Sequence, residues 1–146
     1  MTTERFLLDT NVLSEPVRPR PNMALVQRLQ QHERHCFTAA PVWHELNAGV
    51  LRLPKGRRRA MLVRYLQQLA GSQLLVLPYD QRAAGWHARE RARLTLAGRT
   101  PPLVDGQIAA IAVVRAMTLV TCNVSDFSEF SRLKVVDWTA GTTSAG

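Results

Sequence analysis

Four carboxylates in this chain stand at the borders of apolar segments, where acidic residues are unusual. Asp9 ends the run "FLLD", Glu45 lies in "VWHELNAGV", Asp105 in "LVDGQIAAIA" and Asp126 in "LVTCNVSDF". Two carboxylates about 4 Å apart repel each other by about 4 kcal/mol at an effective dielectric constant of 20, so a cluster of them requires shared protons or a cation. Hard divalent cations prefer oxygen ligands. The sequence therefore predicts a Mg²⁺ (or Mn²⁺) site formed by these four residues.

Each of these acids also has an ordinary structural interpretation when it is taken alone. Asp9 can begin an Asx-turn, Asp105 can place a favourable charge at a helix N-terminus, and Glu45 can pair with Arg52. Asp126 can cap a short helix. Because the four acids come from four separated segments, their joint placement favours a shared site over four independent coincidences.

The elements that must position these acids alternate between strand and helix. Apolar runs predict strands over residues 5–9, 36–40, 74–79, 118–123 and 133–138. Helical spacing of apolar residues predicts helices over 23–31, 41–53, 57–69 and 80–97, and a further helix that begins near 104. This alternation predicts an α/β fold with a mostly parallel central sheet of about five strands flanked by helices. Ligands bind such sheets outside the carboxyl ends of the strands, where Asp9, Asn123 and Asp126 follow predicted strands.

Length and composition suit a single domain. The chain has 146 residues, of which 46% are hydrophobic, and we assign residues 1–138 to the domain and 139–146 to a flexible C-terminal tail. No apolar run reaches the roughly 20 residues of a membrane span, and the N-terminus lacks the hydrophobic region of a secretory signal. Cys36 and Cys122 match no paired motif. We therefore expect a cytoplasmic protein without a membrane partner.

The net charge points to a polyanionic partner. The chain has 19 Lys and Arg against 11 Asp and Glu, which gives a formal charge of +8, and such an excess favours nucleic acid. One basic cluster, the candidate RNA-binding set, surrounds a Pro/Gly break and consists of Arg52, Lys55, Arg57, Arg58 and Arg59. A second basic stripe, at helical spacing, consists of Arg82, Arg89 and Arg93. Either cluster is also compatible with a merely solvated face.

The ordered set of motifs resembles one family over nearly the full length. "LLDTNVLSE", "WHELNAGVLRLPKGRRR", "VDGQIAAIA" and "LVTCNVSDF" resemble the PIN-domain ribonucleases, particularly the VapC toxins of bacterial toxin–antitoxin pairs and their FitB-like relatives. The resemblance implies a metal-dependent endoribonuclease that is usually dimeric. It also implies a VapB-like antitoxin whose C-terminal segment occupies the groove of the toxin, so the expected partners are RNA, this antitoxin and a second copy of the chain.

Two positions depart from the pattern of the family. Many PIN domains have an acid where this chain has Asn123, whereas VapC-like and FitB-like members often have Asn there and an Asp three residues later. We therefore assign the fourth acidic role to Asp126. Relatives also commonly have Arg where this chain has Cys122. If that Arg binds a substrate phosphate, another basic residue must replace it or the contact is absent.

The mechanistic hypothesis is hydrolysis of an RNA phosphodiester by water that the metal activates. Asp9 and Asp105 are the principal ligands, Glu45 and Asp126 complete the pocket directly or through water, and the amides of Asn11 and Asn123 orient carboxylates or water. The expected products carry a 5′-phosphate and a 3′-hydroxyl. Two alternatives stay open: a non-catalytic basic module that binds RNA or antitoxin, and a metal-dependent phosphomonoesterase.

Overall fold

A five-stranded sheet forms the centre of the computed structural model, which describes residues 3–139. The strands are β1 (Phe6–Leu8), β2 (Cys36–Ala39), β3 (Leu75–Leu77), β4 (Thr118–Val120) and β5 (Lys134–Val136). Their spatial order is β3-β2-β1-β4-β5, and every pairing is parallel. The predicted α/β fold is confirmed, and the sheet is fully rather than mostly parallel. The predicted tail, residues 139–146, lies outside the described residues except for Thr139.

Six α-helices flank the sheet within the described residues. They are α1 (Thr10–Ser14), α2 (Met23–Gln31), α3 (Ala40–Leu51), α4 (Arg57–Ala70), α5 (Gln81–Leu96) and α6 (Leu103–Val114). Short 3₁₀ turns occupy Glu15–Val17, Glu33–His35 and Val124–Phe127. The helices agree with the predicted ones to within a few residues. Among the described residues, no helix has both the length and the apolar composition that a membrane crossing requires.

The core lies between the two central strands and α6. Leu7 in β1, Leu119 in β4 and Ile111 in α6 have no exposed surface. Full burial of such a side chain contributes about 1.5–3 kcal/mol. Every position of β1 and β4 is buried, because a central strand of a parallel sheet is covered on both faces. The same packing also determines where along the sheet the strands β1 and β4 end.

The register of the sheet brings the strand ends together at one edge. Leu8 pairs with Val120 on one side and with Thr38 on the other. The next residues, Asp9 and Thr121, therefore leave the sheet side by side. The predicted strand over 118–123 is too long, because β4 ends at Val120 and the residues beyond it form the loop that borders the candidate site.

The edge strand β3 differs from the prediction in length and in burial. The run 74–79 forms a strand only over Leu75–Leu77, since Pro78 has no N–H to donate to the ladder. Leu75 and Val76 are 59% and 40% exposed. The flanking helices therefore leave part of β3 exposed to solvent. The last predicted strand is likewise shorter than 133–138, ending at Val136.

Candidate active site

Asp9 is the most buried carboxylate of the site and the most tightly held. It follows β1, caps the N-terminus of α1 and is 7% exposed. Its Oδ1 accepts a hydrogen bond from the backbone N–H of Thr10 at 2.8 Å, and its Oδ2 accepts one from the Thr121 hydroxyl at 2.8 Å. Burial raises the pKa of Asp9 above its usual value, although the hydrogen bonds from Thr121 and Thr10 oppose this shift.

The Asn11 side chain connects this carboxylate to the loop after β4. Its amide nitrogen lies 3.4 Å from Asp9 Oδ2 and 3.4 Å from the Thr121 hydroxyl, and its carbonyl accepts from the backbone N–H of Cys122 at 3.0 Å. The Thr121 hydroxyl also accepts from the backbone N–H of Asn123 at 3.1 Å. Thr121 is fully buried, and the motif analysis overlooked it. A hydroxyl residue directly after a buried strand, level with Asp9, was the available signal.

Glu45 reaches the site from α3. It is exposed, and its Oε1 accepts a hydrogen bond from the Thr10 hydroxyl at 3.0 Å. Thr10 therefore contacts two acids, Asp9 through its backbone and Glu45 through its side chain. Within residues 3–139, no ion pair joins Glu45 to Arg52. The ordinary structural alternative for Glu45 is thus not what the structure shows.

Asp105 lies in the first turn of α6 and is partly buried. Its pKa is raised to about 6, first by burial and then by the negative charges of Asp9, Asp126 and Glu45. A carboxyl group feels three other carboxylates in this way only when all of them are close in space. The four predicted acids, which come from four different segments of the chain, therefore lie in one region of the molecule, where the charges of Asp9, Asp126 and Glu45 act on Asp105.

Asp126 and Asn123 belong to the exposed loop after β4. Asp126 lies in the 3₁₀ turn, and its backbone N–H donates to the carbonyl of Asn123 at 3.1 Å. In the described part of the chain, the side-chain amide of Asn123 makes no hydrogen bond, and the residue contributes through its backbone. Among the described residues this amide therefore contacts no carboxylate directly, and its orientation of a water molecule stays a prediction.

A groove of about 360 Å³ opens beside Glu45, the one candidate acid among its lining residues. Thr10 and Glu45 line it together with two basic residues, Arg18 and Arg58. The apolar part of its lining comes chiefly from Val17, Leu46, Val50, Leu53, Leu62 and Leu66. The groove is thus apolar along most of its surface, with acidic and basic groups at its border.

The predicted basic residues do not form one uniform surface. Of the candidate RNA-binding set, only Arg58 lines the groove. Arg59 is partly buried, and its Nε has no hydrogen-bond partner within residues 3–139. In the second stripe, Arg93 is held by Glu90 at 2.9 Å and by the backbone of Glu129, which are contacts within the fold.

Comparison with known proteins places this arrangement in a family. The family model described as PIN domain matches residues 6–133, a range that contains all four acids. The chain belongs to the PIN-domain family. This PIN domain is 34% identical to toxin FitB of Neisseria gonorrhoeae over 128 residues, which cover 84% of this chain and 90% of that protein. It is also 32% identical to VapC ribonuclease Y4jK of Sinorhizobium fredii over 128 residues. These residues cover 84% of this chain and 89% of that protein.

Solved structures agree with this assignment of the PIN domain. The FitAcB complex of Neisseria gonorrhoeae contains a chain that is 32% identical, with a TM-score of 0.80 and with 91% of this chain and 97% of that chain covered. The FitAB complex bound to a DNA fragment gives a TM-score of 0.82 at 30% identity, covering 94% of this chain and 98% of that one. The resemblance stated from the motifs is confirmed.

Proposed function

We propose that this PIN-domain protein is the toxin of a toxin–antitoxin pair and acts as a Mg²⁺- or Mn²⁺-dependent endoribonuclease. The observation on which the proposal depends is that Thr10 contacts both Asp9 and Glu45 at the carboxyl edge of the sheet, and that the charges of these two acids and of Asp126 act on Asp105. The names of the relatives, toxin FitB and VapC ribonuclease Y4jK, support a nuclease toxin.

The residues present fit a hard divalent cation. All four acids offer oxygen donors, and the pKa of Asp105 is raised by burial and then by the negative charges of its neighbours, which a cation would neutralise. Within residues 3–139 no group of three or more His, Cys, Asp or Glu side chains is already arranged to hold a metal. Mg²⁺ typically uses only one or two carboxylates and keeps several waters. Asp9 and Asp105 would hold the ion, and Glu45 and Asp126 would contribute directly or through water.

The protein groups around the ion site prepare the reaction without supplying a nucleophile. When bound, the metal supplies an activated water and neutralises charge on the phosphate. Thr10 and Thr121 fix both oxygens of Asp9, so that its remaining lone pairs point in a set direction. Asn11 fixes the loop after β4 relative to Asp9. We propose that the basic residues around Arg57 bind the RNA backbone and that the products carry a 5′-phosphate and a 3′-hydroxyl.

We further propose that a VapB-like antitoxin inhibits the enzyme by occupying the groove. The groove has an apolar lining together with one acidic residue, Glu45, and two basic residues, Arg18 and Arg58. Such a surface fits an apolar peptide segment of the antitoxin that also carries two charged residues. An acidic residue of the segment would pair with the arginines of the groove, and the guanidinium of an arginine would pair with the carboxylates of the site. The related chain in the FitAB structure is part of a complex, which supports a protein partner for this chain.

Self-association remains a prediction that the exposed edge strand supports. Leu75 and Val76 of β3 are exposed, as are Leu51 and Met61 on α3 and α4. An edge strand with exposed apolar residues is a surface that soluble proteins usually cover. Sedimentation of the purified protein would measure the homodimer that we expect.

The test of the proposed activity is cleavage of a folded RNA by the purified protein. We expect cleavage with Mn²⁺ or Mg²⁺, no cleavage with EDTA, and recovery when excess metal is added back. A small aryl phosphate offered in parallel should stay intact, because its hydrolysis would favour the phosphomonoesterase. A protein that binds the RNA but cleaves it under none of these conditions would be the non-catalytic module.

A further inference from the structure

A second basic site lies at the opposite edge of the sheet from the acids. It is an open cleft of about 640 Å³, here called the basic cleft. Its polar and charged lining residues are Gln81, Arg82, Arg89 and Arg132. No acidic residue of the described chain lines it. Three guanidinium groups therefore share one cavity without a carboxylate among its walls.

The position of the basic cleft separates it from the catalytic centre. Ala116 and Arg132, which line it, each stand two residues before a strand, β4 and β5 respectively, and so mark the amino edge of the sheet. Helix α6 connects the two regions, with Asp105 in its first turn and Val114, another lining residue, at its end. At 1.5 Å per residue, these two positions are about 14 Å apart along the helix axis.

The three arginines of the basic cleft keep donors available for a ligand. Arg82 gives one nitrogen to the carbonyl of Val114 at 2.8 Å, a contact at the C-terminus of α6. Arg89 and Arg132 make no hydrogen bond or ion pair through their side chains with any residue of the range 3–139. Both side chains are exposed. The charges of Arg89 and Arg132 are therefore available to a ligand.

The backbone at Arg132 adds an independent observation. Its φ is +66°, in the left-handed region where glycine or asparagine is the favoured residue. An arginine at this position costs conformational energy, and its side chain makes no hydrogen bond or ion pair within the described chain that would offset this cost. Residues held in such conformations tend to mark functional sites. The arginine is thus better explained by what it binds than by the fold.

We propose that the basic cleft binds the phosphate backbone of the substrate RNA away from the cleaved bond. This inference rests on the proposed ribonuclease function and adds to it a preference for RNAs large enough to reach both edges of the domain. Arginine forks match phosphate oxygens in a bidentate way and contact the backbone without reading sequence. A minimal RNA fragment that fills only the acidic site would not use the cleft.

The experiment compares a folded RNA with its minimal cleavable fragment. Arg89→Ala and Arg132→Gly test the cleft, and Arg91→Ala is the matched control, because Arg91 is exposed on the same helix, loses the same charge and does not line the cleft. We expect each cleft variant to bind the folded RNA several-fold more weakly and to lower the slope of log affinity against log salt by about 1. Cleavage of the minimal fragment should not change.

The melting temperature separates binding from folding. Because glycine suits the left-handed backbone at 132, Arg132→Gly should melt at or above the wild-type temperature while it loses RNA affinity. An equal loss for Arg91→Ala, or equal losses for folded RNA and fragment, would overturn the inference and leave the ribonuclease intact. Loss of binding to duplex DNA alone would assign the cleft to DNA instead. A wild-type protein that cleaves neither RNA would refute the proposed function, and the inference with it.

Discussion

Asp9 shows how single residues prepare the candidate active site. Burial raises the pKa of this carboxyl, and three donors nevertheless hold it in one orientation. An acid in that situation gains by binding a cation, which replaces the solvation that burial removed. The neighbouring threonines, Thr10 and Thr121, supply the orientation and leave the charge unchanged.

Replacement of Asp9 by Asn tests the role of that charge. Asp9→Asn keeps the volume, so the fold and the RNA affinity should stay close to wild type. We expect RNA cleavage to fall by more than about 100-fold, since loss of a residue that merely supports a metal ligand already costs 10- to 100-fold. The measurement is the cleavage rate at saturating Mn²⁺, with the melting temperature as the control for folding. Cleavage near the wild-type rate would end the metal-site proposal.

Asp105 predicts how the metal effect depends on pH. Its pKa in the folded protein is about 6, above its usual value of 3.8, so its contribution to stability is present at low pH and is lost as the pH rises through about 6. Mn²⁺ needs the deprotonated carboxylate and competes with the proton. Stabilisation by Mn²⁺ should therefore be small near about pH 5 and larger above about pH 7. Thermal melts with and without Mn²⁺ measure this, and Asp105→Asn should flatten the dependence.

At the scale of helices and strands, some features can be predicted from the sequence alone and others cannot. The α/β alternation, the helix of Asp105 and the position of Asp9 after a strand could be predicted, because they follow from local apolar periodicity, whereas the joint role of the four acids stays a prediction. The contacts of Thr121 and the exposure of Leu75 could not, because they depend on which strands are neighbours and which strand lies at the edge. The role of Arg58 in the groove likewise depends on how α3 and α4 pack.

Helix α6 is positioned by a close contact with α5, and this contact is testable. The imidazole of His87 is buried, and its Nδ1 lies 2.8 Å from the hydroxyl of Tyr79. A Cβ added at Gly106, the residue after Asp105, would lie 2.1 Å from His87 Nε2. Gly106→Ala should therefore shift the first turn of α6, lower the melting temperature and weaken Mn²⁺-dependent cleavage.

The compensating variant gives this prediction its control. His87→Ala removes the ring that collides, so the double variant Gly106→Ala/His87→Ala should recover part of the cleavage rate lost by Gly106→Ala alone. If the double variant is worse than both single variants in melting temperature and in cleavage, the contact with His87 does not position α6.

At the scale of the whole molecule, the net charge is positive, whereas the candidate site is acidic. A formal net charge of +8 attracts a polyanion from a distance, while the acids of the candidate site would repel its phosphates at contact. A bound divalent cation reverses that local repulsion. Without a metal ion, the negative charge of the candidate site also attracts a positively charged side chain of another protein, in particular an arginine.

The last prediction concerns inhibition by the antitoxin. A guanidinium fork matches carboxylate geometry in a way that a lysine ammonium does not, so an arginine of the antitoxin would compete with Mn²⁺ for the acids beside the groove. A peptide of the cognate antitoxin's C-terminal segment should inhibit cleavage, and its inhibition constant should rise with the Mn²⁺ concentration. Changing the pocket-facing Arg of the peptide to Ala should relieve inhibition more than it weakens binding. An inhibition constant that does not change with the Mn²⁺ concentration would mean that the peptide covers the groove without contacting the acids.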